Sequence, residues 1–330
     1  MNGIATCVAG HFVAGLLFPL HPPTASTIAR SVDNLYFALT GITLFFTFLI
    51  FGLIFYFMIK YRRRSEDEIP QDVKTSIPLE IVWTLIPTLI CGFLFVWASR
   101  LYVKNSEPPK GSMEIFVIGK QWMWHLQHPE GAREIDELHV PVGVPVKLTM
   151  TSQDVIHDFY IPAFRIKKDV LPGRYSSIWF EATKTGEYTF YCAQYCGAEH
   201  SAMMGKVFVM TQSDYSKWLA SQSNGNSMAQ AGQKLFVSFG CATCHSQSNG
   251  GKYPALAGVY GNPIRLRDGR IVVADDAYLR NAIAKPGSQH VAGYASAMPS
   301  FQGQINEEQL LDLIAYIKSI GSQESQASIQ

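Results

Sequence analysis

Charge is scarce in this chain. Only 16% of its 330 residues are Asp, Glu, Lys or Arg, and the formal net charge is +1. With no basic surplus, nothing draws it to nucleic acid. Cysteine is also thin, at six residues. Cys192 and Cys196 form one close pair, Cys241 and Cys244 another, and Cys7 and Cys91 stand alone. No disulfide framework is laid out by that spacing. Residues 4–20 are apolar but have no basic start. They fit either a signal peptide with a poor leading region or a short extra helix. What the chain has in quantity is apolar side chains, 48% of the total, which points to membrane segments.

Two apolar runs form a hairpin over residues 35–104. The first, about 35–59, is long enough to cross a hydrocarbon core of roughly 30 Å at about 1.5 Å per residue. The second, about 79–98, contains Pro87, which a membrane helix tolerates. The short loop between them carries Lys60, Arg62, Arg63 and Arg64. The positive-inside rule puts that loop in the cytoplasm and everything after Arg100 on the outer face. Glu80 opens the second run, where a helix N-terminus favours an acid.

The run Tyr191–Met204, YCAQYCGAEHSAMM, packs Cys192, Cys196, His200 and Met203 at the spacing C-x3-C-x3-H-x2-M. Thiolate, imidazole and thioether together make a soft to borderline donor set that suits copper, and two close thiolates can bridge two ions. A disulfide and a zinc site use similar residues. The run leaves an alternating stretch, Gly186–Tyr191, so the donors sit on a loop after a strand. Other short alternating runs between residues 105 and 215 predict an antiparallel all-β sandwich. Trp124 reads as core. His125, His128 and His139 read as surface or hydrogen-bonded residues.

A polar linker follows at 216–227, then a second motif. Cys241-Ala-Thr-Cys244-His245 is C-x-x-C-H, the attachment signature of a c-type haem, with His245 as the proximal iron ligand. A zinc half-site would need further partners, and this domain offers only His290. A methionine in the sixth position holds a high potential. Met298, in the context Met-Pro-x-Phe, is the only methionine after the motif, whereas Met228 precedes it. Residues 228–322 predict an all-α domain, closed by an amphipathic helix from Glu307 that packs on the domain's first helix. Residues 323–330 read as a disordered tail.

With His157 in DVIHDFYIP, these stretches resemble cytochrome c oxidase subunit II in its caa-type form, where a cytochrome c domain is fused behind the copper domain. The resemblance implies a multidomain membrane protein: a transmembrane α-helical hairpin, a cupredoxin-like Greek-key sandwich, then a class I cytochrome c domain. It implies a binuclear copper centre (CuA) on His157, Cys192, the Gln194 carbonyl, Cys196, His200 and Met203. Many members carry Glu at the position of Gln194, whose carboxylate reaches an interface magnesium or manganese ion, and this chain lacks it. The residue matching Trp122 is where electrons enter, and the one matching Glu80 stands at the mouth of a proton channel. The implied partners are oxidase subunit I and its companion subunits, a cytochrome c-type donor and membrane lipid. The implied setting is the bacterial cytoplasmic membrane, with both redox domains on the periplasmic face. Two other functions use such a domain: the electron-accepting subunit of a copper-containing nitric oxide reductase, and a non-catalytic membrane-tethered copper-binding module. The fused haem argues against the second, since copper delivery needs no electron relay.

Overall fold

A computed structural model of the protein describes residues 22–66, 68–69, 75–222, 227–245, 252–294 and 298–327. The expectation of a signal or extra helix, and Cys7 with it, lies outside them. Two compact units are present, one over residues 27–107 and one over 108–330 together with the segment before residue 27.

The first unit is a pair of helices, α1 (Ala29–Lys60) and α2 (Ile77–Ser106). Both outrun the apolar runs. Arg30, Ser31, Asp33 and Asn34 extend α1, and Tyr102 to Ser106 extend α2. Polar residues at helix ends lie beyond a hydrophobic stretch yet keep the backbone ladder going. Large side chains point outward along both helices, among them Phe48 and Phe95 at 73% and 72% exposure. An apolar surface of this kind is covered by lipid or by other membrane helices. Pro87 lies inside α2 and removes one ladder donor.

The second unit opens with a ten-stranded sandwich. Its strands are β1 (Met113–Lys120), β2 (Met123–Gln127), β3 (Arg133–Ile135), β4 (Glu137–Pro141), β5 (Pro145–Ser152), β6 (His157–Ile161), β7 (Ile166–Val170), β8 (Ser176–Glu181), β9 (Gly186–Cys192) and β10 (Met204–Met210). One sheet runs β3-β2-β1-β5-β8 and the other β4-β10-β9-β6-β7. The expected antiparallel pairing needs one correction: β1 pairs with β5, and β4 with β10, in parallel. Both pairs are joined through several intervening strands, which gives the length a crossover needs. The core between the sheets holds Trp124, Phe159 and Phe190, with Trp124 edge-on to Phe159 at 5.0 Å. The segment Pro22–Ser26 adds to this sandwich. Ala25 N–H donates to Ala163 O (3.0 Å), Thr183 N–H to Ala25 O (2.9 Å), and Ser26 Oγ to Phe164 O (2.8 Å).

Helix α3 (Gln212–Gln222) occupies residues 216–222 of the expected linker; 223–226 lie outside the described residues. The last domain contains α4 (Met228–Ser238), the short α5 (Ala242–His245), strands β11 (Pro263–Arg265) and β12 (Ile271–Val273), α6 (Asp276–Ala284) and α7 (Glu307–Ala327). A capping box between Ser227 and Gln230 starts α4. The expected helical cytochrome c domain is present, with one addition, the short β11–β12 hairpin, whose turn contains Asp268-Gly269 with Gly269 at φ +90°. An Asp-Gly pair between alternating apolar residues is a hairpin signal that was there to be read. Helix α7 also runs into the expected tail, as far as Ala327.

Candidate metal centre and haem pocket

Strand β9 ends at Cys192, whose Cα is paired with Phe159 of β6. From there the chain makes a tight loop and rejoins the sheet at β10. The loop is tied down at both ends: Cys192 N–H donates to Met203 O (3.0 Å) and Ala193 N–H to Asp158 O (2.9 Å). His157 opens β6 and is fully buried.

These constraints bring distant donors together. Cys192 Sγ lies 3.9 Å from His157 Nδ1, 3.2 Å from Gln194 O and 3.8 Å from Cys196 Sγ. Cys196 Sγ lies 3.6 Å from His200 Nδ1 and 3.7 Å from Met203 Sδ. The two sulfurs are far beyond the bonding distance of a disulfide, about 2.05 Å, and both cysteines are free. Six donors, arranged as two thiols with an imidazole beside each, exceed the four a structural zinc takes. They fit two soft ions bridged by two sulfurs. The Gln194 side chain is exposed, so only its carbonyl faces the site.

The electrostatics favour a cation. Burial pushes the Cys192 thiol up, but hydrogen bonds from His157 and from backbone N–H groups outweigh it and bring it to about 6. Burial and the neighbouring Cys192 charge push Cys196 up to about 12. The pair therefore takes one negative charge readily and resists the second until a positive ion compensates it.

The surroundings include residues that sequence reasoning passed over. Asp154 Oδ1 accepts from His157 Nε2 at 2.9 Å, which leaves Nδ1 facing the sulfurs. Asp154 Oδ2 also accepts the Gln121 N–H at 2.8 Å. The spacing Asp-x-x-His, with the acid three residues before the buried histidine, was the available signal. Gln121 Nε2 donates to Cys196 O at 2.7 Å, and Trp122 Nε1 to the same oxygen at 3.3 Å. Trp122 is half-buried rather than fully exposed, lying over the loop. A Cβ at Gly197 (φ +123°) would come within 3.2 Å of the Trp122 ring. Trp124 is core, with its ring 5.7 Å from that of His157. Glu80 sits in the other unit, in the first turn of α2.

His128 and His139 share a different partner. Buried Glu134 accepts from His128 Nε2 at 2.7 Å and also pairs with His139 Nδ1. The His139 ring is stacked between Phe208 and Trp218. Glu137 lies close enough to complete a three-residue metal-type cluster. Glu134 is already satisfied by its two histidines, so the cluster reads as a structural triad. Burial would raise the Glu134 carboxyl, but the two histidines hold it below its usual 4.5. Its stabilisation is therefore complete above the ordinary carboxylate range and is lost as pH falls through the lowered folded value. Below about pH 4 the wild type should lose melting temperature more steeply than Glu134→Gln. Equal slopes in the two melting-temperature curves would remove the triad from the acid response.

In the last domain, Cys241, Cys244, His245 and Met298 all line one cavity of about 410 Å³. Its other walls include Phe236, Leu279, Phe301, Leu313 and Ile317. An apolar slot of this size with two thiols, one imidazole and one thioether fits a haem. His245 Nδ1 lies 2.9 Å from Pro254 O, which fixes the ring and frees Nε2. His290 lines the same cavity. Met228 does not line it; it is buried against the sandwich.

A helix pair long and apolar enough to cross a membrane, a sandwich with a copper-type donor cluster and a cavity lined by C-x-x-C-H together define a membrane-anchored protein of the metal- and haem-binding class. Residues 15–100 match the transmembrane domain of cytochrome c oxidase subunit II, residues 132–210 its periplasmic domain, and residues 229–321 cytochrome c. Cytochrome c oxidase subunit 2 of Thermostichus vulcanus is 30% identical, over 60% of this chain and 77% of that protein. The protein of the same name from Alkalihalophilus pseudofirmus is 29% identical over 82% of each. The periplasmic domain of subunit II of cytochrome oxidase from Bradyrhizobium japonicum is 30% identical over 35% of this chain and 96% of that one, with a TM-score of 0.34. The chain belongs to the cytochrome c oxidase subunit II family, and it carries a fused cytochrome c domain.

Proposed function

We propose that this subunit receives electrons on its own covalent haem c and passes them through its binuclear copper centre to haem in subunit I. There O2 is reduced to water with proton pumping. The observation that carries this reading is the convergence of the six donors, with sulfur contacts of 3.2–3.9 Å, in a chain that also gathers C-x-x-C-H and a methionine at one cavity. When bound, both groups act as one-electron carriers. His157, Cys192, the Gln194 carbonyl, Cys196, His200 and Met203 hold the copper pair. Asp154 orients His157, and the Trp124–Phe159–Phe190 wall keeps water from its inner side. Such a rigid, dry cradle changes little between oxidation states. Trp122 is the electron contact above the loop. Cys241 and Cys244 anchor the haem, and His245 and Met298 bind its iron. Glu80 collects protons at the mouth of a channel in subunit I. The loop after α1 lies on the cytoplasmic side of a bacterial membrane, with both redox domains periplasmic. With Gln194 in place of a glutamate, an interface magnesium or manganese ion would lack that carboxylate. The donor is a cytochrome c-type protein.

Metal and haem analysis of the full-length protein in detergent, with its electron paramagnetic resonance spectrum, tests the reading. About two coppers per haem, sharing one unpaired electron, are expected. One copper, or zinc instead, would overturn the binuclear assignment.

A further inference from the structure

Helix α7 has two working faces. Leu310, Leu313, Ile314 and Ile317 belong to the cytochrome core, and Leu313 and Ile317 line the haem cavity. The opposite face carries Glu308, Leu311, Asp312, Ala315 and Lys318, at helical spacing. Such a row ordinarily faces water. Here it faces the copper domain. Leu311 and Met228 pack on Phe116 and Ile118 of β1 in one buried cluster, flanked by Tyr175 and Ala315.

Polar contacts ring that cluster. Buried Asp312 accepts from Gln127 Nε2 at 2.7 Å and from Arg133 at 2.8 Å. His125 Nδ1 pairs with Glu308 at 2.8 Å, and Met228 N–H donates to Pro129 O at 3.2 Å. Arg280 donates to Gly173 O at 2.9 Å while pairing with Glu307 in its own domain. At the far end, Lys318 lies 3.8 Å from Glu114. An apolar centre inside a rim of charged pairs is the anatomy of a stable interface. A desolvated carboxylate whose partners come from the other domain resists separation strongly. None of these interface residues lines the haem cavity.

We propose that the cytochrome domain is latched onto the copper domain as one fixed body, through the outer face of α7 and the β1–β2–β3 platform, leaving the haem mouth free for a one-electron donor protein. This rests on the relay reading and sharpens it, because the haem does not swing on a tether. With haem bound, its cavity would open to a donor on one side, and Leu313 and Ile317 of α7 would lie between it and the copper domain on the other.

Haem quenches nearby tryptophans; of the six, Trp122, Trp124, Trp179 and Trp218 belong to the sandwich and α3, while Trp83 and Trp97 of α2 are replaced by Phe in every protein of the test. Time-resolved tryptophan emission of the full-length haem-loaded protein therefore reads docking without any turnover. The wild type should show a short-lived population that does not change with ionic strength. Arg133→Glu changes no residue of the cytochrome domain and puts a carboxylate where the cation beside Asp312 and Glu308 stood; it should raise the long-lived population about tenfold or more. The double exchange Arg133→Asp with Asp312→Arg should restore the short lifetime. Reduction of haem by an external donor should be unchanged in Arg133→Glu, because the mouth is not in the interface. A salt-dependent long lifetime in the wild type, or no change in Arg133→Glu, would overturn the latch. Haem reduction without copper reduction in a wild type of fixed short lifetime would instead overturn the relay reading and leave the latch standing.

Discussion

Cys196→Ser should leave a folded protein with its haem and almost no copper. Cys196 Sγ is the hub of the cluster, between His200 Nδ1 at 3.6 Å, Met203 Sδ at 3.7 Å and Cys192 Sγ at 3.8 Å. Serine is close in size but presents a neutral, hard oxygen, which a soft ion binds poorly. On the proposed assignment one of two bridging sulfurs is lost, and His200 and Met203 lose the thiolate beside them. Loss of a mere outer partner costs about 10–100-fold in metal affinity, so loss of a bridging ligand should cost more. Copper should fall from about two per chain to well under one. Metal analysis and electron paramagnetic resonance read the copper, and the visible spectrum reads the haem independently. Full copper in the variant would remove Cys196 from the site. Met203→Leu should be milder, altering the spectrum while keeping copper, since a thioether carries no charge.

The second large effect is structural. Gly232, in α4, is where that helix meets α7. A Cβ there would sit 1.9 Å from Asp312 O and 2.5 Å from Asp312 C, with Tyr316 Cβ at 2.9 Å. Two of these atoms are backbone, so no side-chain rotation relieves the clash. Gly232→Ala must drive the helices apart. Overpacking costs about 1–3 kcal/mol and sometimes more, which for a domain of this size lowers the melting temperature on the order of 10 °C or more. The same displacement moves Leu313 and Ile317 at the haem wall and Asp312 in the latch. Melting followed at the haem band should shift down while the copper signal melts as before. An unshifted haem transition would show that the helices part without cost.

Local chemistry was legible where the residues lie close in sequence. The loop from Cys192 to Met203 and the run Cys241 to His245 each state a donor set in a few residues, and both donor sets converge in space. His157 is 35 residues upstream of Cys192, and no local pattern links them; only the likeness to a family did. Pairing of β9 with β6, which sets Cys192 opposite Phe159, two residues from His157 on the same strand, is what closes that gap. The outer face of α7 was hidden for a different reason. Its polar residues obey the amphipathic pattern of a solvated face, and the partners of Asp312 lie 185 and 179 residues away. Periodicity tells which face is polar, not what covers it. The helix ends were missed because hydropathy measures the membrane's thickness and not the backbone's continuity.

The strap Pro22–Ser26 bears on how this subunit can be handled outside a membrane. A soluble piece cut after α2 would discard it. Ala163 O, Phe164 O and the Thr183 N–H would lose their partners, and the floor beneath Ala25, itself buried, would be laid open to other strand edges. Solubility gained by removing the helices would be offset by a newly adhesive seam. Grafting those five residues back, or supplying them as a short peptide, is the complementation the hydrogen-bond pattern dictates.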